Sequence, residues 1–437
     1  MAIMMRKILQ ISFIHVAVAM TLVPINSTLN RVMIKELALS AALVSLLASL
    51  PYLFAPIQVM IGSYSDRHPI LGWRRSPYIA LGLLLCVAAL GVAPFAVFTM
   101  PENPLLGLVF TLLTFTAWGM GYNLAAVSYF SLASELTGER GRSRTVAVMM
   151  TLMIIAIIFT AATLSRLLVN YSPEQLQTAF LMVAGAALLL GMIGLAGLEP
   201  RHSKPLQSVP DEERTGWTST LKVVFANPVA RRFFFYLILL LAAILGQDVL
   251  LEPFAAQAFD LPVAATTRIT SIWGTCMLIT LASASLLERR MGKRRVAQIG
   301  GGVAAAAFLM IALSGLLEIS AVFYSGVVLL GLGSGLATVS NLSLMLDMTT
   351  ERVGLYIGAW GIANALSRLI GTLSSGVLRD LISLLSGSPL AGYVIVFFLF
   401  AVSLMVSLWL LRRITVQGFQ QYNRPLSFAE RAAALND

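Results

Sequence analysis

Apolar stretches of about 20 residues, the length that crosses a hydrocarbon core as a helix, recur twelve times in this chain. They run at 8–33, 40–63, 77–99, 105–134, 145–168, 177–198, 232–255, 264–286, 297–316, 321–346, 355–378 and 392–411. A bilayer offers no water to unpaired backbone groups, so such runs fold as helices that satisfy their own peptide bonds. Little chain is left for anything else: 58% of the 437 residues are hydrophobic and 11% are charged, against about 25% charged in a soluble domain. Arg6-Lys7 and Ala17-Val18-Ala19 give the first run some features of a cleaved leader. It stays apolar to Ile25, however, and no other start for a first span remains, so it is read as a retained helix. Cys86 and Cys276 lie inside apolar runs without metal-site spacing and read as small core residues.

The charges are placed asymmetrically. With both termini cytoplasmic, the tails and cytoplasmic loops hold 24 of the 30 Lys and Arg residues, the positive-inside pattern. The net charge of +10 therefore reports topology. A nucleic-acid partner, which would need basic residues gathered on one folded surface, is not expected. The longest loop, 199–231, carries Pro200, Pro205, Pro210 and Asp211-Glu212-Glu213. It is expected to link a six-helix half at 1–198 to a second at 232–411, followed by a cytoplasmic tail at 412–437.

An internal repeat supports that division. Residues 118–140 laid on 330–352, a constant offset of 212, share 11 identities in 23 positions without a gap. Among them are Gly119/Gly331, Gly121/Gly333, Thr137/Thr349, Glu139/Glu351 and Arg140/Arg352, with Glu135 facing Asp347. After the second and eighth runs, Asp66-Arg67 corresponds to Glu288-Arg289, and Gly72-Trp73-Arg74-Arg75 to Gly292-Lys293-Arg294-Arg295. Parallel six-helix repeats are the plan of the major facilitator fold, and the loop from Gly62 through Asp66-Arg67 to Arg74-Arg75 resembles that superfamily's G-x-x-x-D-R-x-G-R-R signature. The expected fold is thus an all-α membrane protein with twelve helices in two pseudo-repeats.

Two groups of polar residues are candidates for function. At the cytoplasmic ends, Arg residues beside a carboxylate can bond helix termini and neighbouring acids. Asp66, Arg67, Arg74 and Arg75, with Glu135, Glu139 and Arg140 and their counterparts Glu288, Asp347, Glu351 and Arg352, are the candidate conformational gate. The alternative is that the Arg residues only fix topology. Inside the membrane, ionisable groups are costly and few. Gln247, Asp248 and Glu252 lie on the seventh span, the two acids one turn apart on a shared face. The matching offset places Asn26 opposite Asp248, and Asn30-Arg31 opposite Glu252-Pro253. Pro24 and Pro253 suggest locally broken helices. Arg368, in the middle of the eleventh span, needs a counter-ion, for which Asp248, Glu252 or an anionic headgroup would serve. His15 is the one histidine within a span; it would either bond a neighbouring helix or ligate a magnesium porphyrin. The alternative for this set is a collection of structural ion pairs holding the halves together. No Walker loop, G-x-S-x-G, H-E-x-x-H, paired-Cys or D-x-x-x-D motif is present, so neither enzyme chemistry, a nucleotide nor a metal site is expected.

Three stretches go beyond the superfamily. Leu29-Asn30-Arg31-Val32-Met33-Ile34-Lys35-Glu36-Leu37, Gly246-Gln247-Asp248-Val249-Leu250-Leu251-Glu252-Pro253-Phe254, and the loop Ser65-Asp66-Arg67 to Gly72-Trp73-Arg74-Arg75-Ser76-Pro77-Tyr78 resemble motifs of the PucC/LhaA family of light-harvesting complex assembly proteins. One departure is visible: Ala255-Ala256 stand where that family commonly has glycine. The resemblance implies a non-enzymatic factor in a photosynthetic or thylakoid membrane of bacteria that handles (bacterio)chlorophyll-type pigment, with carotenoid a further candidate. Antenna or photosystem polypeptides, pigment-synthesis enzymes and lipid are the partners it implies. Two alternatives stay open: a proton-coupled small-solute transporter with Asp248 or Glu252 as its proton site, and a structural subunit that moves nothing.

Overall fold

The computed structural model describes residues 2–54, 56–201, 225–348 and 353–414; the side chains of 2–3, 59, 63, 66, 139–140, 143, 347–348 and 353–358 lie outside that description. The described backbone is nearly all helix. Several helix starts have a common local cause: Asn103, Ser172, Asn227 and Ser388 each stand before a proline and accept a hydrogen bond from a first-turn backbone N–H. A polar cap satisfies an orphan donor there, and proline at the first helical position loses no bond.

In the first half, α1 (Ala2–Met20) continues through two π-helical turns, Pro24–Leu29 and Val32–Glu36. It is followed by α2 (Ala41–Leu53), α3 (Ile57–Arg67), α4 (Ser76–Glu102), α5 (Pro104–Leu167) and α6 (Pro173–Leu195). Helix α5 holds two spans, divided at Gly138, whose φ of 61° is non-helical. In the second half, α7 (Pro228–Gly246) passes through a 3₁₀ turn at Gln247–Val249 into α8 (Leu251–Phe259). Then come α9 (Val263–Met291), α10 (Lys293–Leu317), α11 (Ser320–Met348), α12 (Val353–Ser386) and α13 (Pro389–Leu411).

Among the described residues, eleven helical stretches are long and apolar enough to cross a membrane. The expected second run, 40–63, is the exception: it is two short helices, α2 and α3, not one. Proline explains the break, since Pro51 and Pro56 cannot donate to the helical ladder and their rings crowd the preceding turn. The Pro51 carbonyl takes its bond from Asn123 Nδ2 at 2.8 Å. Breaks near Pro24 and Pro253 occur as well, as π-helical and 3₁₀ turns. The linker expected at 199–231 falls largely outside the described residues, as does the tail beyond 414.

The repeat reappears as packing. A Cβ on Gly121 would stand 2.7 Å from the Gly82 carbonyl, and one on Gly333 would stand 2.8 Å from that of Gly300. Only glycine permits those two crossings, α4 on α5 and α10 on α11, and they occupy corresponding places. Gly72 and Gly292, also paired by the repeat, have φ of 83° and 82°. Across the seam between halves, α2 packs on α12 and the second limb of α5 on α9.

Candidate functional site

The polar residues of the seventh span meet the first half at the seam. The helix breaks at Gln247–Val249 because Pro253 cannot bond back along the ladder, and the 3₁₀ turn re-aims the residues on either side of it. Glu252, 2% exposed, accepts a short hydrogen bond from Ser27 Oγ and a second from Thr270 Oγ1 at 2.9 Å through the same oxygen, Oε1. One carboxylate thereby ties α1 to α8 and α9. Nearby, Thr28 and Thr267 hydroxyls are 3.3 Å apart. Arg31, also buried, is paired with Glu36 and donates to the Leu261 carbonyl at 3.1 Å, again across the seam. Asn30 turns back on its own helix and donates to the Asn26 carbonyl at 2.7 Å; the Oδ1 atoms of Asn26 and Asn30 are buried without a partner.

Asp248 finds a different partner. Its Oδ2 is 3.5 Å from Arg368 Nη1, and the side chains keep 34% and 36% exposure. The same Nη1 donates to the Tyr52 hydroxyl at 3.4 Å, and the guanidinium lies 5.5 Å from the Tyr52 ring centroid. Gln247 Nε2 holds Asp248 Oδ1 at 2.7 Å, while Gln247 Oε1 is buried with no partner. Of the three counter-ions open to Arg368 from the sequence, the fold supplies Asp248.

His15 and Tyr129 are joined at 2.7 Å through Nδ1, and the imidazole also packs against Phe130, 5.5 Å between ring centroids. The counterpart of Tyr129 in the repeat is Asn341, which accepts from Tyr236 at 2.6 Å. Each half thus has a buried polar link between its first and fourth spans at this position of the repeat, His15–Tyr129 in one and Tyr236–Asn341 in the other.

At the basic ends, Arg75 Nε and Nη2 each stand 3.1 Å from Glu135 Oε1, Arg75 Nη1 donates to Ser65 at 2.6 Å, and Arg74 is 3.7 Å from Glu135. Arg67 is exposed. Glu199, read from sequence only as the start of a linker, is 5% exposed and accepts from the backbone N–H groups of Arg74, Arg75 and Ser76 at 2.7–3.2 Å. It satisfies the orphan donors at the start of α4 and suits the positive end of that helix. In the second half, Arg294 donates to the carbonyls of Leu411 and Arg412 at 3.1 and 2.5 Å. Glu288 Oε1 is buried without a partner. Of the other gate candidates, Glu351 and Arg352 and the side chains of Asp66, Glu139, Arg140 and Asp347 lie outside the described residues.

Sequence reasoning missed Ser27, Thr270, Tyr52, Glu199 and Asp380, whose Oδ2 accepts from the Ala42 N–H at 2.8 Å and so joins the start of α2 to α12. Ser27 had a signal, its place beside Asn26 in a proline-broken span. A lone hydroxyl or phenol elsewhere in an apolar run had none. Among the described residues no three His, Cys, Asp or Glu side chains converge as a metal site.

Comparison with known proteins places this geometry. Solved structures show the fold: the chain superposes on a variant of the nucleoside transporter NupG with a TM-score of 0.73, 15% identity and coverage of 93% of this chain and 98% of that one. It matches the D-xylose-proton symporter at 0.71, with 13% identity and coverage of 95% and 98%. The architecture is therefore the major facilitator fold, and the chain is a multi-pass membrane protein. Protein PucC of Rhodovulum sulfidophilum is 32% identical over 387 residues, 86% of this chain and 85% of its own. Protein PucC of Cereibacter sphaeroides is 33% identical over 412 residues, covering 90% and 88%. The bacteriochlorophyll synthase 44.5 kDa chain of Rhodobacter capsulatus is 28% identical over 386 residues, covering 86% and 88%. With the family model described as PUCC protein matching residues 28–419, a stretch that takes in all three motifs above, the chain belongs to the PUCC protein family.

Proposed function

We propose that this protein is a non-enzymatic membrane factor that binds a (bacterio)chlorophyll-type pigment while light-harvesting or photosystem polypeptides assemble in a bacterial photosynthetic membrane. The observation that carries this reading is family membership along nearly the whole chain, with a relative named for bacteriochlorophyll synthesis. The geometry is compatible with it. Asp248 and Arg368, each about a third exposed, with the buried Gln247 behind them, form a polar patch at the seam between two apolar halves, a place where a large apolar molecule with a few polar groups can be held. Magnesium ligation by His15 fits less well: the imidazole is 4% exposed, it packs on Tyr129 and Phe130, and the equivalent site in the other half is a plain helix-to-helix bond. Although its Nε2 is buried without a partner, we assign His15 a structural role.

The test is an absorption spectrum of the protein purified in mild detergent from a phototroph, with identification of the polypeptides that accompany it. Pigment bands at near-stoichiometric level together with antenna or pigment-synthesis polypeptides are the expected result. Absence of both overturns the reading. The same patch would also serve a proton-coupled carrier of a small solute. That reading predicts solute uptake driven by a pH gradient and lost in Asp248→Asn.

A further inference from the structure

We infer that Arg368 is a docking point for a ligand carboxylate, with Asp248 as the internal carboxylate that the ligand displaces. Resting on the pigment reading above, this gives the cargo a free acid: a tetrapyrrole with an unesterified propionate, or another large apolar acid of the same head-group chemistry.

The argument begins with how the guanidinium is used. A guanidinium presents five donors in a planar fork that matches a carboxylate through two parallel bonds. Arg75 shows side-on use in this chain, with Nε and Nη2 both directed at Glu135. Arg368 does not: its contacts to Asp248 and Tyr52 both pass through Nη1, at 3.5 and 3.4 Å, and among the described residues no hydrogen bond engages its Nε or Nη2. That leaves the bidentate edge of a cation at mid-membrane depth unfilled. Unspent charged donors at such depth are costly, so cations there are normally fully partnered.

The pair is also built to open. Glu252, one turn on, is almost fully buried and clasped by two hydroxyls, whereas about a third of Arg368 and of Asp248 is exposed. Gln247 Nε2 holds the other oxygen of Asp248, Oδ1, at 2.7 Å, a second partner for the carboxylate when its cation turns to a ligand. Trp360, Asn364 and Arg368 recur every fourth residue and line one stripe of α12, and each is partly exposed. An aromatic ring and an amide thus lead up to the guanidinium.

Binding of protoporphyrin IX, which carries two free propionates, and of its dimethyl ester to the full chain in nanodiscs tests this, read by quenching of protein fluorescence. The acid is expected to bind about tenfold or more tightly than the ester, since a bond to a charged group supplies at least that factor. Arg368→Gln is expected to abolish the preference and Arg368→Lys to keep part of it. Asp248→Asn, by removing the internal competitor, is expected to increase it. Opposite effects from the two members of one ion pair are not produced by a merely structural bridge. Equal binding of acid and ester, or a preference that survives Arg368→Gln in a protein of unchanged melting temperature, overturns the inference while leaving pigment binding standing. Failure of the porphyrin acid, its ester and oleate alike to bind overturns the inference, whereas the absorption spectrum of the purified protein decides pigment binding by itself. Oleate in competition separates the sources: Arg368-dependent binding of oleate without the porphyrin acid supports the carboxylate site and assigns it to an acyl chain.

Discussion

Asp248 and Glu252 stand one turn apart beside the same 3₁₀ break, yet the fold gives them different surroundings. Glu252 is enclosed and takes its hydrogen bonds from Ser27 and Thr270 on two other helices. Asp248 is half-exposed and shares Arg368 with Tyr52. Position along a span thus does not decide what a membrane carboxylate does. The elements that arrive opposite it do, because in a bilayer the partner must come from another helix or from the chain itself. The first acid fastens the halves; the second sits where contact between them is loose enough to be exchanged.

This contrast can be broken by mutation. Glu252→Ala is expected to have the largest effect, a loss of about 2 kcal/mol, because the buried Ser27 and the part-buried Thr270 hydroxyls lose their acceptor. Thermal unfolding in detergent measures it. Glu252→Gln keeps an acceptor oxygen and is expected to cost less than half as much. If Gln is as damaging as Ala, charge and not acceptance matters at Glu252, and the two acids are more alike than described. Glu199 is a second buried acid, with backbone N–H groups as its donors. Removing this cap in Glu199→Ala is expected to cost about 1.5 kcal/mol and to speed amide exchange at Arg74, Arg75 and Ser76. Unchanged exchange there would show that the cap is dispensable.

Asp248→Asn is expected to cost less stability than Glu252→Ala, because the pair is only partly enclosed and Gln247 and Tyr52 remain beside its two members. A larger loss would move Asp248 into the class of Glu252. The smallest effects are expected at the paired links: His15→Phe and Asn341→Leu each break one interhelical bond, worth about 0.6 kcal/mol on average in membranes. Similar losses from both would show that the two halves use this position alike. A much larger loss at His15 would mark a role beyond the bond.

Much of the fold was legible because bilayer physics is severe. Twelve apolar runs, the basic loops and the repeat from Gly119 to Arg140 required no tertiary information, and Pro24 and Pro253 announced their own distortions. The second run was misread as continuous because its hydropathy is unbroken and only Pro51 and Pro56 mark the gap, which Asn123 of another span then makes tolerable. The charges of the site were legible for the same reason, since a carboxylate or guanidinium in an apolar run stands out. Their partners were not, because Ser27, Thr270 and Tyr52 are ordinary residues until a seam brings them within hydrogen-bond reach. Glu199 shows the same limit at the basic face, where its sequence surroundings describe a loop and its carboxylate closes the start of a helix more than 120 residues earlier.

The sequence alone therefore determined the membrane-spanning class, the duplicated plan and the short list of polar residues, because each follows from what one segment can do in lipid. Tertiary structure alone decided that Glu252 clasps two hydroxyls, that Arg368 takes Asp248 and leaves one edge of its guanidinium unengaged, and that His15 and Asn341 serve equivalent links. Those outcomes depend on which groups meet across the packed helices, a choice made over hundreds of residues that no local pattern records.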